Sequence, residues 1–132
     1  MVQRVVRQVK EAKLTDAITI AADKSHLDII TNQLGDTVTA VAEPERRKTF
    51  PATALAASYL KYEKHCTDDE VVVIMPCDPY TDKGYFEAVQ KMVDCVKDNV
   101  ADLVLMGITP TSPSEEFGYV QPASDGSAKD YK

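Results

Sequence analysis

The chain has 132 residues, of which 44% are hydrophobic and 27% are charged, and its formal net charge at pH 7 is -6. This length allows a single domain with a real hydrophobic core, so we expect one domain over residues 1–132, with 123–132 as a flexible tail. The acidic balance excludes a general nucleic-acid-binding surface, because it would repel a phosphate backbone. Neither a membrane-spanning run of about 18 apolar residues nor a secretory leader is evident in the sequence.

The three cysteines, Cys66, Cys77 and Cys95, are widely spaced, and no pair of them forms a CxxC motif. An odd number of dispersed cysteines indicates neither a disulfide framework nor a zinc site. We therefore expect a protein of a reducing compartment, the cytoplasm.

The first third of the chain predicts two helices and two strands. Apolar residues at helical spacing over 2–12 predict the first helix, and the β-branched run 18–22 predicts a strand. Ser25 is expected to cap a second helix, which Gly35 ends. The alternation of valine with threonine and alanine over 37–42 predicts the second strand.

The middle of the chain alternates helix and strand again. Pro51 suits the first turn of a helix, and the alanine-rich segment 52–64 continues it. The unbroken apolar run 71–75, in "EVVVIMPCDPY", is typical of a central parallel strand covered on both faces. Apolar residues at helical spacing over 86–100 predict the next helix.

A further apolar run at 103–108 predicts another buried strand, and 119–121 a short final one. Strands alternating with helices indicate an α/β domain with a mainly parallel sheet, helices on both faces and right-handed crossovers. Ligands of such sheets bind at the carboxyl ends of the strands. Glu43, Asp78 and the loop after Ile108 are predicted to lie at these ends.

Two of these strand ends carry charges that have both a structural and a functional interpretation. Asp78 could place its carboxylate where Mg²⁺ and phosphate bind, or it could only form an Asx-turn before Pro79. The basic run Arg46, Arg47 and Lys48 could bind phosphate, although charge pattern alone favours a solvated turn. Both alternatives stay open on these grounds.

Three segments occur together in one order: "EPERRKTFPATALAA", "VVVIMPCDPY" and "MGITPTSPSEEFGYV". They resemble the motifs EPxxRNTAPAI, PxDH and GIxPTxPETGYGYI of the mannose-1-phosphate guanylyltransferase (GDP-mannose pyrophosphorylase) family. Because the three motifs span most of the chain in the family's order, the resemblance is more specific than any one of them. It implies a Rossmann-like nucleotidyltransferase sheet and covers the central part of that domain.

The resemblance also implies roles for individual residues. Asp78 matches the aspartate that holds the catalytic Mg²⁺, and it is thus both the catalytic and the metal-binding candidate. Gly118 and Tyr119 match the region that borders the sugar phosphate. The first motif lies near the nucleotide in the family, and its matching positions are Glu43, Pro44, Arg47, Thr49 and Pro51.

The chain departs from the family pattern at several positions. Lys48 replaces an asparagine, Phe50 an alanine, Pro79 a histidine and Glu116 a glycine. The 132 residues also contain no counterpart of the family's N-terminal strand and glycine-rich GGxGTR loop, nor of its later metal-binding segment. We therefore expect a partial nucleotidyltransferase domain.

The function implied by the resemblance is formation of GDP-mannose, or a related nucleotide sugar, and pyrophosphate from GTP and mannose-1-phosphate. The missing phosphate-binding loop predicts that this chain is inactive alone. The alternative is a non-catalytic module that binds a nucleotide sugar or another protein. An unpaired sheet edge could further bring two copies of the chain together as a homo-oligomer; neither nucleic acid nor membrane is an expected partner.

Overall fold

A computed structural model describes residues 1–78, 80–116, 118–122 and 128–130 of the chain. Two strand pairs occur among these residues, β1 parallel to β2 and β3 antiparallel to β4. A parallel pair accompanied by helices confirms the predicted α/β class. The helices are α1 (Val2–Glu11), α2 (Leu27–Leu34), α3 (Thr49–Tyr62) and α4 (Lys83–Lys97), and the strands are β1 (Thr19–Asp23), β2 (Thr39–Glu43), β3 (Val120–Pro122) and β4 (Ala128–Asp130).

The parallel pair fixes which strand ends are neighbours. Thr19 lies opposite Thr39, and the register continues to Asp23 opposite Glu43. Helix α3 packs against both strands, and α2 packs against β2. The carboxyl ends of β1 and β2 therefore lie side by side, immediately before the turn into α2 and the loop into α3.

Two hydrophobic clusters share helix α1. Val5 and Val9 pack with Phe86 of α4, while Val6, which projects elsewhere on the same helix, packs with α2 residues. This double packing explains the valine spacing of α1, because residues three and four apart share a face and adjacent residues do not. The α2 residues of the second cluster are Ile30 and Leu34.

Helix α3 begins at Thr49, two residues before Pro51, so Pro51 lies within its first turn as predicted. Its N-cap, Lys48, makes no side-chain capping bond and has φ of 68° and ψ of -168°. This backbone region is essentially restricted to glycine, because a Cβ atom makes it strained. The backbone of Lys48 is therefore strained directly before the helix.

Replacing Lys48 by glycine is expected to stabilise the protein. Glycine removes the strain of roughly 1–3 kcal/mol, and the greater freedom of the unfolded chain offsets about 0.5–1 kcal/mol of that gain. We expect the free energy of unfolding in urea to rise by about 1 kcal/mol. Lys91→Gly within α4 is the opposite control, since glycine in a helix interior costs about 1 kcal/mol. Equal losses in both variants would contradict the strained conformation of Lys48.

The predicted strands at 71–75 and 103–108 are not formed in the described structure. Neither 71–76 nor 101–113 takes part in any backbone–backbone hydrogen bond among the described residues. Six apolar side chains of the predicted strands are exposed, from 44% at Val73 to 80% at Ile108, while four others are half-buried: Val71, Met75, Val104 and Met106. An apolar run becomes a central strand only where neighbouring strands accept and donate its backbone hydrogen bonds. Among the described residues, β1 and β2 pair only with each other.

The remaining differences concern element ends. Helix α4 stops at Lys97 and Asn99 has φ of 56°, so Val100 is exposed rather than on the buried face of the helix. Residues 128–130 of the predicted flexible tail pair with β3, while its other residues, like Pro79 and Phe117, lie outside the described residues. In the described part of the chain, no helix has the length and apolar character needed to cross a bilayer.

Candidate functional site

The adjacent ends of β1 and β2 carry two carboxylates, those of Asp23 and Glu43. Asp23 Oδ1 accepts hydrogen bonds from the backbone N–H and the hydroxyl of Ser25, at 2.9 and 2.7 Å. The backbone bond, followed by the hydroxyl bond and by the nearby charges of His26 and Arg46, holds the pKa of the Asp23 carboxyl below its ordinary value of 3.8. Asp23 is therefore an anion at neutral pH.

This bonding corrects the predicted role of Ser25. The capping side chain of the turn before α2 is Asp23, which accepts from Ser25, while α2 itself follows His26 without a side-chain cap. Aspartate two residues before a serine is a common Asx arrangement, and it was the available signal in the sequence. The sequence prediction missed Asp23 as a component of this sheet edge.

The loop between β2 and α3 contains the predicted nucleotide-binding residues. Arg47 donates from Nε and Nη2 to Glu45 Oε2, at 3.0 and 2.6 Å. Both side chains are exposed, so the pair contributes little to stability and can open for a ligand. Pro44, Thr49 and Pro51 are also exposed in this loop and the first turn of α3, and Glu43 is half-buried.

Asp78 is exposed and has neither a hydrogen bond nor an ion pair with another described residue. Two residues further on, Tyr80 lies under the Arg4 guanidinium, whose central carbon is 4.1 Å from the ring centroid. Asp82 then caps α4 by accepting a hydrogen bond from the N–H of Tyr85 at 3.3 Å. The chain after Asp78 is thus fixed to α1 and α4, while the Asp78 carboxylate is available to solvent.

Tyr119 lines an open surface cavity together with the loop that precedes it. Its hydroxyl accepts from the N–H of Ser114 at 2.8 Å and donates to the carbonyl of Ser114 at 3.1 Å. Ser114 Oγ in turn accepts from the N–H of Glu116 at 3.2 Å. Gly118 is exposed, and a Cβ atom added there would meet no atom within 4 Å. The other residues lining the cavity are Pro110, Thr111, Ser112, Pro113 and Glu115.

The structure assembles parts of the predicted site separately. No hydrogen bond or ion pair among the described residues joins the Glu43–Pro51 loop, Asp78 and the Gly118–Tyr119 segment to one another. For two of these parts, the Glu43–Pro51 loop and the Gly118–Tyr119 segment, the structure adds residues that the sequence prediction did not single out. These residues are Asp23 beside Glu43, Glu45 as the partner of Arg47, and Ser114 as the partner of Tyr119.

The ligand set for a metal ion is incomplete within the described residues. No group of three or more histidine, cysteine, aspartate or glutamate side chains there is arranged to hold one. Mg²⁺, however, commonly binds proteins through one or two carboxylates and completes its shell with water and substrate phosphate oxygens. The free, exposed carboxylate of Asp78 fits this mode of binding.

Comparison with known proteins identifies relatives of the chain. The family profile described as nucleotidyl transferase matches residues 1–132. The chain is 29% identical to a mannose-1-phosphate guanylyltransferase of Escherichia coli over 107 residues, which cover 77% of this chain and 20% of that protein. It is also 29% identical to the alginate biosynthesis protein AlgA of Pseudomonas putida over 116 residues, 83% of this chain and 23% of AlgA.

AlgA of Pseudomonas fluorescens is 28% identical over 116 residues, which again cover 83% of this chain and 23% of AlgA. The chain thus spans about a fifth to a quarter of the length of these curated relatives. No solved structure is significantly similar to it. The match of the family profile extends over the whole chain, and the chain therefore belongs to the nucleotidyl transferase family.

Proposed function

We propose that the chain is part of a nucleotidyltransferase that makes GDP-mannose, or a related nucleotide sugar, and pyrophosphate from GTP and mannose-1-phosphate. The observation that carries the proposal is the family match over residues 1–132. The E. coli relative, named mannose-1-phosphate guanylyltransferase, supports the choice of substrates. The order of the three sequence motifs also supports it.

Each motif has a separate role in this proposal. In the reaction, an oxygen of the sugar phosphate attacks the α-phosphorus of GTP, and pyrophosphate leaves from the opposite side. Such a transfer depends mainly on positioning and on neutralisation of phosphate charge. In the proposal, the exposed loop with Arg47 and Thr49 binds the nucleotide, and Gly118 and Tyr119 border the sugar phosphate.

Asp78 would hold Mg²⁺ in this proposal, together with substrate phosphate oxygens. When bound, the ion supplies positive charge beside the phosphates. The Asp78 carboxylate makes no hydrogen bond or ion pair with another described residue, so the ion would not have to displace a protein partner in order to bind it. This availability distinguishes it from Asp23 and Asp82, whose carboxylates accept hydrogen bonds from nearby backbone N–H groups.

A calorimetric titration tests the proposal directly. We expect GTP with Mg²⁺ and mannose-1-phosphate each to bind the 132-residue chain, and Asp78→Ala to weaken GTP binding in Mg²⁺ about tenfold, or about 1.4 kcal/mol. Asp102→Ala is the matched control, because Asp102 is exposed and unbonded among the described residues. A wild-type chain that binds neither ligand would overturn the proposal.

The same preparation is expected to form negligible GDP-mannose on its own. The sequence contains no glycine-rich GGxGTR loop, and each charge-assisted hydrogen bond of such a loop to a phosphate contributes about 1.5–3 kcal/mol. Product formation is measured by chromatography of the nucleotides. Robust turnover would show that these 132 residues suffice for catalysis.

The second candidate is a module that binds a nucleotide sugar without catalysis. The observation in its favour is the ion pair between Glu45 and Arg47, because it neutralises the guanidinium that is predicted to bind phosphate. Binding of GDP-mannose that is unchanged by Asp78→Ala would favour this module over a catalytic site. Loss of binding with Asp78→Ala would favour the transferase.

Two further parts of the proposal concern the protein's surroundings. All three cysteines are free thiols, which supports a reducing compartment such as the cytoplasm. Pairing of two copies through a sheet edge stays a prediction, supported by the fact that β1 and β2 have no other strand partner among the described residues.

A further inference from the structure

The hydroxyl of Tyr119 binds both backbone polar groups of a single residue, Ser114. It lies 2.8 Å from the nitrogen and 3.1 Å from the carbonyl oxygen of that residue. A tyrosine hydroxyl has one proton to donate, and here the carbonyl of Ser114 accepts it. The hydroxyl therefore has no proton left to donate to a ligand while this contact persists.

This contact is the main polar constraint on the loop. Residues 101–113 make no backbone–backbone hydrogen bond with any other described residue, so neither strand pairing nor helical hydrogen bonds fix the loop among the described residues. The next contact along the chain, from Glu116 N–H to Ser114 Oγ, closes a turn within the same segment. Pro110 and Pro113 restrict the backbone before it. The position of the cavity wall thus depends on the hydrogen bonds between the Tyr119 hydroxyl and the backbone of Ser114.

The walls of the cavity carry groups suited to a hydroxyl-rich ligand. Thr111 and Ser112 contribute hydroxyls, Glu115 contributes a carboxylate and Tyr119 contributes an aromatic ring. Hydrogen bonds to such groups favour binding only when the groups are held in place beforehand, because ordering a free loop on binding costs affinity.

We propose that Tyr119 is a positioning residue, which holds the 110–116 loop through Ser114 so that the loop can bind the sugar phosphate. The proposal rests on the proposed function for the identity of the ligand, but the contact itself does not. Tyr119 acts through the backbone of Ser114, and its hydroxyl is not a direct donor to the sugar.

Tyr119→Phe tests the proposal by removing only the hydroxyl. Amide hydrogen exchange at Ser114 and Glu116, the two residues of 110–116 whose N–H groups donate hydrogen bonds within the described structure, is expected to quicken about tenfold. The Kd for mannose-1-phosphate is expected to rise by about tenfold. The affinity for GTP is expected to stay unchanged, because the nucleotide loop, Glu43–Pro51, makes no hydrogen bond with Tyr119. A purely structural defect would weaken both ligands together.

The control is Tyr62→Phe, since Tyr62 is an exposed tyrosine whose hydroxyl makes no hydrogen bond with the described residues. It should alter neither exchange in 110–116 nor either affinity. Unchanged exchange in Tyr119→Phe would overturn the positioning role, as would faster exchange with unchanged mannose-1-phosphate affinity. If the wild-type chain binds no mannose-1-phosphate, the proposed substrate fails, whereas faster exchange in Tyr119→Phe would still support the hold on Ser114.

Discussion

Replacement of Phe86 by alanine is expected to lower the free energy of unfolding by about 3–5 kcal/mol, the usual loss for a buried phenylalanine. Phe86 is 4% exposed, and it packs with Val5 and Val9 of α1. Its ring also meets that of Tyr85 edge to face, with centroids 5.3 Å apart and planes at 82°. The substitution removes the largest buried side chain from the cluster that attaches α4 to α1.

The expected loss is large relative to the stability of a small domain, about 5–15 kcal/mol. Urea unfolding followed by circular dichroism measures it as a fall in the midpoint. Phe50→Ala is a matched control, because Phe50 is 80% exposed at the start of α3 and should change the free energy of unfolding by less than about 0.5 kcal/mol. Similar midpoints for the two variants would show that α4 is not held to α1 through Phe86.

The sequence predicted the helices well because each carries its own signal. The spacing of Val5, Val6 and Val9 alone places α1, and the structure differs from that prediction by one residue at the end. Gly35, with φ of 55°, ends α2 where the sequence indicated a stop. Helical hydrogen bonds lie within one segment, so a local pattern contains most of the information needed.

The strands were predicted less well, because the hydrogen bonds of a strand join it to a distant segment of the chain. β1 and β2 form where their patterns predicted, because each finds the other as a parallel partner. The runs 71–75 and 103–108 have equal or stronger β-strand composition, yet they make no ladder among the described residues. Composition reports that a strand would suit a buried position, whereas the partner in register is a property of the whole sheet.

The candidate site shows the same limit at the level of side chains. The motifs indicated Arg47 and Tyr119, but not that Glu45 and Ser114 bind them in the folded chain. A motif specifies residue types at a spacing. It does not specify which neighbouring group forms hydrogen bonds with those residues in the protein without ligand. The two contacts therefore modify the roles of the residues that the motifs had selected.

The Glu45–Arg47 contact leads to a pair of opposite predictions for nucleotide binding. Arg47→Ala is expected to raise the Kd for GTP by about 10- to 100-fold, because a charge-assisted bond to phosphate contributes about 1.5–3 kcal/mol. Glu45→Gln is expected to lower the Kd by up to about fivefold, since breaking an exposed ion pair costs at most about 1 kcal/mol. The Glu45 carboxylate accepts from the guanidinium nitrogens, Nε and Nη2, that phosphate would need in the proposed site.

Calorimetric titration of GTP into both variants measures these shifts, and the salt dependence of the Kd gives a second readout. Glu45→Gln should bind GTP with a steeper salt dependence, because an unpaired guanidinium interacts more strongly with the anion. Arg7→Ala is the control, since Arg7 forms a comparable exposed pair with Glu11 on α1, away from the loop. A weaker GTP affinity in Glu45→Gln would mean that Glu45 orients Arg47 for the nucleotide rather than competing with it, and an unchanged affinity in Arg47→Ala would remove Arg47 from the site.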